Sequence, residues 1–85
     1  MDATNLRLLK SMREQIRGKK SRAVYSGGAA RELGMAPGSG RHAEYGFRLD
    51  ALVKGGYLQP HPNPILRQQE VYLITDAGIT IADEE

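Results

Sequence analysis

The chain has 85 residues and no cysteine, so disulfides and thiolate metal sites are excluded and one small core has to hold unaided. Hydrophobic residues make up 40% and charged residues 26%, the balance of an ordinary globular domain, and no apolar run approaches the ~18 residues of a membrane span. The net charge of +2 is unevenly placed: residues 1–48 carry ten basic and four acidic side chains, residues 49–85 two basic and six acidic. That layout fits either a polyanion-binding face or a solubilising surface whose charges mix on folding. Residues 1–85 are expected to form a single domain. The start, Met1-Asp2-Ala3-Thr4-Asn5, lacks the basic-then-apolar pattern of a signal peptide, which sets a cytoplasmic expectation.

From Thr4 to about Arg17 the pattern predicts a helix. Leu6, Leu9, Met12 and Ile16 form one apolar stripe, Leu8 lies off it, and Asp2 or Thr4 caps the start. Gly18 with Lys19-Lys20 stops it. Around Val24-Tyr25 a brief strand is expected. Ser26 then caps a short second helix, Gly27 to Leu33, closed by Gly34, with Ala29, Ala30 and Leu33 as its apolar face. The stretch Met35-Ala36-Pro37-Gly38-Ser39-Gly40 is a turn. A third helix runs from about Arg41 to Lys54 with Tyr45, Leu49, Leu52 and Val53 on one side, and Gly55-Gly56 ends it. Tyr57-Leu58-Gln59 and Val71-Tyr72-Leu73-Ile74 read as a hairpin joined by a long, proline-stiffened loop. Thr75 or Asp76 caps a last helix, Ala77 to about Ala82, with a frayed acidic end.

Little chemistry is written into these residues. Neither Gly27-Gly28 nor Gly38-Ser39-Gly40 has the spacing or the lysine of a nucleotide loop. His42 and His61 stand 19 positions apart with no cysteine near either, so no metal is expected. Nothing fixes a strained nucleophile turn, and neither catalysis nor a cofactor is expected.

Three phrases carry a resemblance. Ala29-Ala30-Arg31-Glu32-Leu33-Gly34-Met35 resembles the A-x-x-L-G-hydrophobic second helix of a helix-turn-helix. The run from Phe47 to Leu58 is similar to a recognition helix passing into a first wing strand, and Val71 to Gly78 to the Y-x-L-T-x-x-G phrase that closes the wing in many bacterial regulators. In this order they make the chain resemble a winged helix-turn-helix domain of the broad MarR/PadR/ArsR-like type. The resemblance implies an α+β fold with a three-helix core, a small antiparallel β-wing and a short C-terminal helix. It implies a transcriptional regulator on double-stranded DNA, with helix 41–54 in the major groove and wing 57–74 on the adjacent minor groove or backbone. A monomer would read one half-site, so a homodimer is expected, with Leu8, or Ile79 and Ile81, at its interface.

Under that resemblance, Arg41 and His42 occupy the first turn of the reading helix, Arg48 reaches a flanking phosphate, and Ala43, Phe47, Asp50 and Lys54 face outward. Glu44 either accepts from a cytosine amine or is a solvated carboxylate. Phe47 touches a thymine methyl, contacts a protein partner, or packs against the wing or first helix. Ser26, with Gly27-Gly28, holds a phosphate or simply caps. Ser39 is a further contact, and Arg31 is either a backbone contact or a solvated residue. In the wing the candidates are His61, Asn63, Gln68, Gln69 and foremost Arg67, which either enters a narrow minor groove or is a mobile surface arginine. Two other readings share the fold: a protein–protein module using the face around Phe47, and DNA binding without sequence preference.

Overall fold

A computed structural model describes Met1–Glu85. Its first helix, α1 (Ala3–Ile16), starts where the Asp2 carboxylate accepts hydrogen bonds from the backbone of Thr4 and Asn5. The buried face is Leu8, Leu9, Met12 and Ile16, and Leu6 is half-buried. Leu8 therefore belongs to the core and Leu6 to its margin, the reverse of the sequence expectation. At 3.6 residues per turn Leu8, Met12, Ile16 and Leu9 share one arc, and Leu6 falls beyond its edge. That arc is wide because α1 touches α2, α3, α5 and β1 at once.

Strand β1 (Ala23–Tyr25) leads directly into α2 (Ser26–Glu32). Ala29 and Ala30 are buried against α1. Gly34, at φ +76°, lets the chain reverse so that Met35 donates to the Ala30 carbonyl at 2.8 Å and tucks its side chain fully inside. Helix α3 (His42–Lys54) buries Tyr45, Leu49 and Leu52. It closes in the same way through Gly56 (φ +84°), with Tyr57 donating to Leu52 at 3.0 Å.

Strand β2 (Leu58–Pro60) and strand β3 (Val71–Ile74) are separated by a five-residue helix, α4 (Pro64–Gln68), where the sequence reading has only a loop. Asn63 caps it by accepting from Ile65 N at 2.9 Å, and Pro64 fills the first turn, where a missing N–H does no harm. The sheet is not a two-stranded hairpin but has three antiparallel strands in the order β1-β3-β2. The register pairs Val24 with Tyr72 and Leu58 with Ile74, which turns Val24, Leu58 and Ile74 into the core.

Helix α5 (Asp76–Glu84) is capped by Thr75, whose Oγ1 accepts from Gly78 N at 3.0 Å. Its acidic end is anchored rather than frayed. Asp83 accepts two hydrogen bonds from Arg13, at 3.1 and 3.2 Å, and one from Arg17 at 3.1 Å. The Arg13 guanidinium, before that of Arg17, holds the Asp83 carboxyl below its ordinary range. Ile79 and Ile81 pack against the core. Of the three residues expected at a self-association surface, Leu8 is thus fully buried and Ile79 and Ile81 are partly covered by the core. The fold is thus α+β, five helices and one small sheet around a continuous core of 14 buried apolar residues. No helix is long and apolar enough to cross a membrane.

Candidate nucleic-acid interface

The outward side of α3 is bare along its length. Ala43, Gly46, Phe47, Asp50, Ala51 and Lys54 are all exposed, and Phe47 has 77% of its surface free. With so much of its ring in solvent, Phe47 is not a core residue. Its position on the helix explains this, since it lies opposite the anchoring side chains Tyr45, Leu49 and Leu52.

Charge on this helix is largely paired. Arg41 donates to both oxygens of Glu44, at 2.9 and 3.3 Å, and to the Leu33 carbonyl at 3.2 Å. Arg48 donates to Glu44 at 2.8 Å, to Asp2 at 2.9 Å and to Asn5 at 2.7 Å. Two guanidiniums thus share one carboxylate, and the hydrogen bonds from Arg41 and then Arg48 pull the Glu44 carboxyl down to about 2. Lys54 pairs with Asp50 at 2.8 Å. The Arg48 side chain is only 21% exposed and braces α3 against α1, whereas Arg41 at 49% and Lys54 at 76% remain open to solvent. His42 is exposed, with Nδ1 3.3 Å from the Met35 carbonyl oxygen and its ring beside that of Tyr45. Ser39 accepts from Arg41 N at 3.1 Å and shapes the entry to the helix.

Ser26 is withdrawn from the surface altogether. It has no exposure, does not cap α2, donates to the Glu70 carbonyl at 2.9 Å and accepts from the Tyr45 hydroxyl. Its backbone N–H is also bound to Glu70 O at 3.1 Å, so neither its side chain nor its amide can hold a phosphate. Glu70 itself sits at φ +61°, the only non-glycine residue in the left-handed region. A buried polar line therefore joins α3 to the start of α2 and to the turn before β3. Neither Ser26 nor Tyr45 announces this line in the sequence.

In the β2–α4–β3 arm the polar candidates mostly build the arm. His61 Nδ1 accepts from Asn63 N at 3.0 Å, Asn63 caps α4, and Arg67 donates to the carbonyls of His61 and Pro62 at 3.0 and 3.2 Å. Gln68 and Gln69 are exposed and line a shallow hollow with Tyr25 and Glu70. Arg31 is exposed on α2 with no ion-pair partner, as are Arg7, Lys19 and Lys20 on and after α1. The split charge of the sequence is partly reunited by folding, since Arg13, Arg17 and Arg22 take Asp83 and Asp76 as partners. No family model, curated protein or solved structure matches the chain.

Proposed function

We propose that this chain is a winged helix-turn-helix protein that binds double-stranded DNA as a transcriptional regulator. Helix α3 enters the major groove and the β2–α4–β3 arm serves as the wing. The observation that carries the reading is the mounting of α3: one side anchored by Tyr45, Leu49 and Leu52, the other bare over 13 residues. A helix of that length measures about 20 Å, and the major groove, about 12 Å wide, admits one helix. Arg31, Arg41 and Lys54 are open to phosphates. Exposed ion pairs are worth only about 0–1 kcal/mol each, so exchanging Glu44 or Asp50 for a phosphate oxygen is cheap.

Duplex affinity measured by fluorescence anisotropy across a salt series tests this. A logarithmic slope near −0.9 for each of several phosphates is expected. Replacing Arg41 and Lys54 together by alanine should flatten that slope by about 1–2. Absence of binding at low salt, or an unchanged slope in the double variant, would dismiss α3 as the reading head. Specific against random duplexes, compared at one salt, separates a regulator from a binder without sequence preference.

Glu44 supplies a further prediction. Its carboxylate holds Arg41 and Arg48 and itself repels phosphate. Glu44→Gln is expected to tighten duplex binding by about fivefold, the scale of one unit charge at contact distance in water, and to steepen the salt slope. Because the carboxyl is held at about 2, it stays ionised at every pH above that, so the wild-type affinity shows no Glu44 transition between pH 4 and 8. A Gln variant that binds no better would place Glu44 away from the backbone.

One observation favours a second reading, a protein–protein module. The exposed Phe47 stands among cations that already have partners, and an aromatic anchor with a neutral surround suits a protein partner.

A further inference from the structure

We propose that Phe47 makes thymine the base this chain selects, through an apolar contact with its 5-methyl group; the inference rests on the DNA reading above. The ring is 77% exposed and has a shallow hollow on either side, one lined by Asn5, Glu44, Arg48 and Ala51, the other by Ala43, Gly46 and Asp50. Once α3 lies in a groove, that ring covers part of the floor. The major-groove floor consists of donors, acceptors and one apolar group, the thymine methyl. A ring laid over a donor or acceptor leaves it unpaired, which is costly. Laid over a methyl, it removes apolar surface from water on both sides.

Gly46 is an independent observation pointing the same way. A Cβ built there meets nothing within 4 Å, so no neighbour in the chain requires glycine. A mid-helix glycine nonetheless weakens the helix. Bare backbone beside Phe47 lets the helix axis come closer to the base edges. Arg41, just before α3, and Lys54, at its end, are paired with Glu44 and Asp50, which line the hollows beside the ring, and such exposed pairs exchange readily for phosphate. A partner with an anionic rim and a methyl on its floor complements both features, and duplex DNA at an A·T pair is such a partner.

The test uses the full chain and a duplex enriched from a random library. Each thymine is replaced in turn by uracil, which lacks only the methyl, and affinity is measured for wild type and for Phe47→Ala. One replacement is expected to weaken the wild type about fourfold, the scale of burying a single methyl. Phe47→Ala should bind less tightly, be indifferent to that same replacement, and melt as the wild type does. A wild type insensitive to every uracil, or an equal sensitivity in Phe47→Ala, overturns the inference and leaves the DNA reading standing. Failure to enrich any duplex overturns the reading and the inference together. Self-association that is lost in Phe47→Ala, with equal DNA affinity in both proteins, assigns the ring to a second copy and overturns the inference.

Discussion

Gly78→Ala is expected to destabilise the protein by about 3 kcal/mol, although the same change in an exposed helix stabilises by up to about 1 kcal/mol. The sign reverses because Gly78 lies against backbone. A Cβ there would overlap the Tyr57 carbonyl oxygen and come within 2.9 Å of Ile74 Cγ1. Neither side can retreat. Thr75 Oγ1 donates to the Gly56 carbonyl at 2.6 Å and accepts from Gly78 N at 3.0 Å, while Thr75 N donates to Tyr57 O at 3.1 Å. These bonds stitch the corner where α3 passes into β2 to the corner where β3 passes into α5. At about 4–8 °C per kcal/mol for a domain of this size, the melting temperature should fall by more than about 12 °C. Gly46→Ala is the control, with open space around its new methyl and an expected rise of a few degrees. Equal melting of the two variants would show that the corners separate freely.

The same contacts explain how much of the fold was legible. The L-G-M and K-G-G-Y-L phrases end α2 and α3 as read, because Gly34 and Gly56 have positive φ and the residues after them close the same reversal. Threonine and glycine three residues apart mark the start of α5 because one caps it and the other clears the way for Tyr57. What failed were judgements that depend on neighbours distant in sequence. Leu8 and Leu6 have equal hydrophobicity, and only the set of elements around α1 decides which is buried. Helix α4 was legible in principle, since asparagine followed by proline is a helix start. Three prolines in five residues masked it. Its Glu70 end, in the left-handed region, carries no sequence mark.

For the candidate site, the exposed side of α3 followed correctly from the period of Tyr45, Leu49 and Leu52. The state of its charges did not. Arg48 meets Asp2 and Asn5 across the packing of α1 on α3, 46 and 43 residues away, so its role as a brace is a tertiary fact. Ser26 misled for a related reason. Serine before a short helix usually caps it, but here β1 runs straight into α2 and the capping position falls on Tyr25, so the Ser26 hydroxyl is free to bind Glu70 and Tyr45.

That hydroxyl carries the largest polar effect expected in the molecule. In Ser26→Ala the Tyr45 phenol is left inside with no acceptor, whereas Glu70 O loses only one of its two donors, because Ser26 N still reaches it at 3.1 Å. An orphaned buried donor costs about 1–3 kcal/mol, so a loss of about 2 kcal/mol is expected. Tyr45→Phe removes the donor itself and should cost about 1 kcal/mol, one ordinary hydrogen bond. The double variant has no orphan and should be no less stable than Ser26→Ala alone, a coupling of at least about 1 kcal/mol. Urea unfolding of the four proteins measures it, and additive losses would mean that the two hydroxyls act separately. The alkaline limb offers a second reading of the same contact. Burial pushes the Tyr45 phenol up to about 12, against about 10 in an unfolded chain, so the fold favours the neutral form. Its contribution is intact below pH 10 and is lost as pH rises towards 12, by up to about 3 kcal/mol. Tyr72, also raised by burial, leaves a residual slope of the same sign. Tyr45→Phe should therefore unfold less steeply with alkali than the wild type, while Ser26→Ala, which keeps the buried phenol, should retain the steep limb.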